Sequence, residues 1–175
     1  MSHSRHRGLG RIAVFCLALA VACSPSARKT VARRSSDRSP AITHSACEQK
    51  LLTTDDAATV VADPVTGSRP TPGAPATCEF TTAGASSVIV ALRPNGKASL
   101  AVWKSGRMPV TGTPLAGVGD DAVWVGTLDE VVAEQNDLLC DIQVNGLAAA
   151  LRDRPAAALQ QAIGALCNKI FQEVR

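Results

Sequence analysis

The sequence predicts an α+β domain: an antiparallel sheet of about five or six strands, a short N-terminal helix, and a long C-terminal helix covering one face. Three observations lead there. Several short runs between residues 78 and 144 alternate apolar residues with others and are separated by turn residues. A single apolar stripe marks residues 155–174, with Leu159, Ile163, Leu166, Ile170 and Val174 spaced by 4, 3, 4 and 4. Thr53-Thr54 precedes Asp55-Asp56, a helix start with acids placed in the first turn.

The first helix is short and ends before Pro64. Residues 64–76 hold four Pro and two Gly and read as a loop. Residues 78–82 form a first strand. Residues 87–93 and 97–104 read as two further strands joined by a hairpin turn at Pro94-Asn95-Gly96. Residues 105–120 are rich in Gly and Pro. Residues 121–127, with Val123, Trp124 and Val125, form a fourth strand. Residues 130–134 and 138–144 form a second hairpin across Gln135-Asn136-Asp137. Cys167 lies beside the stripe of the final helix and faces the sheet.

The chain has 175 residues and a formal charge of +3, unevenly distributed. Residues 47–175 carry ten bases and fourteen acids, a net of −4, so the excess positive charge lies upstream of residue 47. This is no footprint of a nucleic-acid-binding domain. His3, His6 and His44 all precede residue 47, which takes imidazole acid–base chemistry, His triads and His metal sites out of the expected domain.

Residues 1–22 have the form of a signal peptide: bases through Arg11, then an apolar run from Ile12 to Ala22 that is short for a membrane span. The run ends in Leu19-Ala20-Val21-Ala22-Cys23, which resembles a bacterial lipobox with Ala20 where Leu is usual. That resemblance implies acylation of Cys23, cleavage after Ala22 and a lipid anchor on the extracytoplasmic side of a membrane. Residues 23–46, rich in Ser and Arg, read as the lipidated Cys and a flexible tether. Residues 47–175 read as the single folded domain.

Cys47, Cys78, Cys140 and Cys167 remain in that domain, with no CxxC pair among them. In an exported chain they read as two disulfides rather than a metal or redox site. Of three possible pairings, Cys47–Cys78 with Cys140–Cys167 is favoured because it staples each end of the domain locally.

Cys47-x-x-x-Leu51-Leu52-Thr53, an early helix, Cys78 opening a strand and Gly117-Val118-Gly119-Asp120-Asp121-Ala122-Val123-Trp124 together resemble the DUF3558-type group of small bacterial lipoproteins. The resemblance spans residues 47–175. It implies an exported accessory domain and supplies no catalytic residues.

No nucleophile motif accompanies the hydroxyls of the domain, and Gly117-Val118-Gly119-Asp120 lacks the spacing of a phosphate loop and reads as a turn. Asp120, Asp121, Asp129 and Glu130 are the densest acidic group, with a carboxylate hydrolase or Ca²⁺ binding as the chemistries to weigh against a solvated rim. Trp103 and Trp124 either pack under the helix or mark a binding patch. The reading from sequence is therefore a non-catalytic, membrane-anchored binding module without cofactor or metal. Its partners would be membrane lipid through acylated Cys23 and an envelope protein, peptide or cell-wall ligand. The candidate surface is Trp103, Arg107, Asp120, Asp121 and Trp124. A carboxylate-based envelope hydrolase and a ligand-free structural accessory are the alternatives.

Overall fold

The computed structural model describes residues 42, 44–146 and 154–174. The expected signal peptide, Cys23 and nearly all of the tether lie outside them. Ser45 and Ala46, at the end of the expected tether, are fully buried in the domain.

The fold is α+β. In chain order it comprises α1 (Thr54–Val61), β1 (Val65–Thr71), β2 (Ala74–Thr82), β3 (Ser87–Pro94), α2 (Gly96–Lys104), β4 (Thr113–Pro114), β5 (Asp121–Val125), β6 (Glu130–Gln135), β7 (Leu138–Asn145) and α3 (Ala156–Glu173). The strands make one antiparallel sheet in the order β1-β2-β3-β7-β6-β5-β4. Two meanders, β1 to β3 and β4 to β7, meet where β3 pairs with β7 from Ser87↔Asn145 to Pro94↔Leu138.

α1 and α3 lie on the first face of the sheet. Their apolar stripes close over Cys78, Phe80, Val88, Val90, Leu92, Val131, Cys140, Ile142 and Val144 in one core. Each of those strand residues lies two positions from the next on its strand, as the pleat requires. Burial of such side chains contributes about 25 cal/mol per Å² of apolar area. A capping box starts α1: the Asp56 N–H donates to Thr53 Oγ1 at 3.1 Å, and the Thr53 N–H donates to Asp56 Oδ2 at 2.7 Å. The same carboxylate receives Lys169 Nζ at 2.6 Å and so ties α1 to α3. Burial pushes the Asp56 carboxyl up, but Lys169 and the Thr53 donors outweigh it and hold it below its ordinary range.

Two disulfides fasten this face. Cys47–Cys78 joins the segment before α1 to β2, and Cys140–Cys167 joins β7 to α3. This is the pairing favoured from sequence.

The sheet has seven strands rather than five or six, and the difference lies in its edges. The stretch expected as loop at 64–76 contains β1 and the turn into β2, and the Gly/Pro-rich stretch contains the two-residue β4. Pro70 is tolerated because β1 is an edge strand, where a missing N–H breaks no inner ladder.

Residues 97–104 are helix α2, not a strand. Gly96, Leu100 and Trp103 recur at i, i+4 and i+7 on the side that meets the sheet, whereas Val102 is 42% exposed. The expected hairpin turn is the helix entry: Asn95 takes a left-handed φ of 58°. The first turn of α2 is held by the β6–β7 turn, with the Gly96 N–H donating to Asp137 O at 2.8 Å and the Lys97 N–H to Asp137 Oδ1 at 3.2 Å. A Cβ at Gly96 would come within 2.8 Å of the β7 backbone, so only glycine lets α2 sit this close. α2 thus covers the second face of the sheet over β5, β6 and β7, packing Leu100 on Val123, Val125, Val132 and Leu139. The expected β6–β7 hairpin is present, turning on Asn136 and Asp137, both left-handed.

Peptide mapping without reductant is expected to recover Cys47 linked to Cys78 and Cys140 linked to Cys167. Removing either bridge by paired Cys→Ser substitution should cost about 3–4 kcal/mol by loop-closure entropy, read by urea denaturation. Crossed pairing or unchanged stability would contradict this.

Candidate functional site

The residues singled out from sequence do not gather into one patch. Trp124 points to the first face and is only 7% exposed, inside the core under α3. Trp103 is half-buried on α2 against the second face. The two rings therefore lie on opposite sides of the sheet. Arg107 is exposed in the segment after α2. Asp120 and Asp121 stand at the start of β5, Asp129 and Glu130 beyond its other end, so the dense acidic group of the sequence is divided by a strand. Asp121 is held by Lys104 Nζ at 2.6 Å, and Asp120 Oδ2 accepts the Asn136 N–H at 3.3 Å.

The Gly117-Val118-Gly119 segment is a clamp for α3. Asn168 accepts the Gly119 N–H at 2.9 Å and donates to Gly117 O at 2.9 Å, while Val118 is buried against Gly164. Gly117 and Gly119 have φ of 80° and 57°. A Cβ at Gly119 would lie 2.5 Å from Glu134 O, an atom that accepts the Asp120 N–H. The motif that looks most like a ligand loop is thus occupied with packing.

The unusual chemistry lies on the second face. Asp141 is 9% exposed and Glu130 5%. Glu130 on β6 is in register with Gln143, so it lies diagonally from Asp141 on the same face, and the two carboxyls hydrogen-bond to one another. On the other side Arg93 of β3 reaches Asp141 Oδ2 with Nη2 at 3.2 Å. Burial pushes the Glu130 carboxyl up to about 8, and the hydrogen bond with Asp141 and its charge add to this against the pull of Arg93. Burial raises Asp141 too, opposed by the Glu130 hydrogen bond and by Arg93. The arrangement at neutral pH is a carboxyl–carboxylate pair, with Glu130 donating to Asp141. Burial also raises Asp129, the residue before Glu130.

This cluster borders the part of the second face beyond α2. Over β1, β2 and β3 no helix among the described residues covers that face, which presents Arg69, Glu79, Ile89 and Arg93; Arg69 Nη2 meets Glu79 Oε2 at 2.9 Å. At one end of the sheet an open hollow of about 580 Å³ lies between the β2–β3 turn, the β5–β6 turn and the end of β7. Gln143, the neighbour of Glu130, lines it. Among the described residues no three His, Cys, Asp or Glu side chains converge as a metal site.

Glu130 was visible in the sequence as one of the acidic group, but its partners were not. The available signal was a charged residue in an otherwise apolar strand, Asp141 between Leu139-Cys140 and Ile142.

No protein-family model, curated protein or solved structure matches the chain.

Trp124→Ala should cost about 3–5 kcal/mol through the cavity it leaves, and Trp103→Ala under about 2 kcal/mol, measured by urea denaturation. Equal small losses would place both rings outside the core. Gly119→Ala should cost about 2–4 kcal/mol, since it combines a left-handed φ with a backbone clash; a variant with a wild-type melting curve would show that Gly119 does not clamp α3.

Proposed function

We propose that the protein is an exported, lipid-anchored binding module of the bacterial cell envelope, held through acylated Cys23 and acting on an envelope protein, peptide or cell-wall ligand without turning it over. The observation that carries this reading is the pair of disulfides. Both fasten the first face of the sheet, a use of cysteine characteristic of chains that mature in an oxidising compartment. Export agrees with the apolar run ending at Cys23, and the tether would let a rigid domain search the space near the membrane.

The contact surface is assigned to the second face and its margin. α1 and α3 occupy the first face. On the second, the charged surface of β1 to β3 and the segment 105–107 after α2, with Arg107 exposed, remain accessible. Loops and uncovered sheet faces on a fixed scaffold are common recognition surfaces. The buried Glu130–Asp141 pair gives the carboxylate hydrolase its one structural argument, and the experiment below includes it.

Cys23→Ser should move the full chain from the membrane to the soluble fraction, or leave an uncleaved precursor without acyl mass. Photo-crosslinkers at Arg107 and at Arg69 should then capture a defined envelope component from the wild-type anchor. Unchanged membrane partition and mass for Cys23→Ser would overturn the anchor. Turnover of a peptide, ester or glycan by the purified chain, abolished by Asp141→Asn, would replace the binding module with an enzyme.

A further inference from the structure

We propose that Glu130, Asp141 and Arg93 form a proton latch across β6, β7 and β3, in which one proton held between the two carboxyls keeps this part of the sheet closed and its loss loosens it.

The geometry sets the charge count. Three neighbouring strands each place one group on the same face, with Asp141 in the middle, hydrogen-bonded to Glu130 on one side and to Arg93 on the other. Two ionised carboxyls and one guanidinium leave a net charge of −1. With one proton between the carboxyls the cluster is neutral. Both residues are buried, Glu130 5% and Asp141 9% exposed, where an unbalanced charge is costly.

Among the described residues, the surroundings supply no second cation to take the place of that proton. On β7 the neighbour of Glu130 is the neutral Gln143. In the turn before β6 the adjacent Asp129 is another acid, and on β6 Glu134 is itself buried, accepting the Asp137 N–H at 2.6 Å. From α2, Leu100 and Trp103 are the side chains that meet the sheet; Lys104 is committed to Asp121, and Lys97 is exposed beside the β6–β7 turn. On β2, Glu79 is paired with Arg69. Among the described residues Arg93 is the cation the structure sets within hydrogen-bonding distance of the pair.

The sign of the pH dependence follows. In the unfolded chain Glu130 loses its proton near the ordinary glutamate value of 4.5; in the folded chain it keeps it until about 8. Between these values the folded state holds more protons than the unfolded one. Stability is therefore greatest on the acid side of this window, falls as pH rises through it, and levels off above it. One proton changes the unfolding constant by up to tenfold per pH unit. The strain would be felt first where β6 meets β7, because Val132 and Leu139 beside the cluster are also the seat of α2.

The test is urea denaturation of the full chain from pH 5 to 9, with Glu130→Gln beside the wild type. A glutamine amide can donate to Asp141 as the protonated acid does and cannot ionise. The wild-type unfolding constant should rise with pH, whereas the Glu130→Gln profile should be flatter, with an unfolding constant at least tenfold below wild type at pH 9. Arg93→Met should carry the wild-type fall to higher pH, since the pair then holds its proton more tightly. Parallel profiles for wild type and Glu130→Gln would overturn the latch and leave Glu130 a packing residue. A second readout does not need the variants to fold: the infrared carbonyl band of a protonated carboxyl should be present in the wild type at pH 7 and gone by pH 9. Its absence at pH 7 would also overturn the proposal.

Discussion

The pairing of β3 with β7 is the constraint on which the other features of this domain depend. Each meander is local, but neither has a complete first face alone. β1 to β3 bring Cys78, Phe80, Val88, Val90 and Leu92; β5 to β7 bring Val131, Cys140, Ile142 and Val144. Only when the two meanders join do these residues form one surface wide enough for both α1 and α3. The junction also has to be made in one register. A slip of one residue would turn Cys140 away from Cys167 and send Asp141 into the apolar core. The Cys140–Cys167 bridge and the Arg93–Asp141 pair hold the same register from opposite faces, one covalently and one by charge. Because the paired residues are far apart in the chain, closing this ladder carries the loop entropy that local hairpins avoid.

What could be read from the sequence follows from how far each element depends on distant neighbours. The stripe of α3, the Thr and Asp residues that start α1 and the β6–β7 turn are local, and all were legible. So was the disulfide pattern, since each bridge joins neighbours along the chain. α2 was not. Leu100 and Val102 are spaced as on a strand, whereas the two large apolar side chains that touch the sheet, Leu100 and Trp103, are three apart and share a face only on a helix. The Asn95-Gly96 dipeptide then suggested a hairpin, although the glycine is required by contact with β7 and not by a turn. β1 was hidden by Gly67 and Pro70, which an edge strand accepts and an inner strand would reject.

The carboxyl pair was hidden for a related reason. β6 and β7 are covered on both faces, so their sequences run nearly continuously apolar and lose the alternation that shows which way a residue points. Sequence proximity grouped Glu130 with Asp129, Asp121 and Asp120. The sheet instead groups it with Asp141, across the β6–β7 ladder, and with Arg93, on a strand from the other meander. Likewise, the sequence left the two tryptophans either under the final helix or on a binding patch, and it could not show that Trp124 belongs to a strand facing α3 and Trp103 to a helix on the opposite side.

The position of the pair has a physical logic of its own. On the second face, the apolar cluster lies on the strands under α2, whereas the strands beyond it carry the charged Arg69, Glu79 and Arg93 beside Ile89. Glu130 and Asp141 stand at the border between these two regimes. Farther toward β1 they would be hydrated and ionised, and would pair as Glu79 does with Arg69. Farther under α2 they would have no cation in reach. At the border each carboxyl is desolvated by one neighbour and contacted by a polar group on the other side, the setting in which one proton and one guanidinium together balance two acids. The same border separates the half of the second face that α2 covers from the half that no helix covers among the described residues. A change in the protonation of the pair would therefore act at the join between the helix-covered and the uncovered parts of the second face.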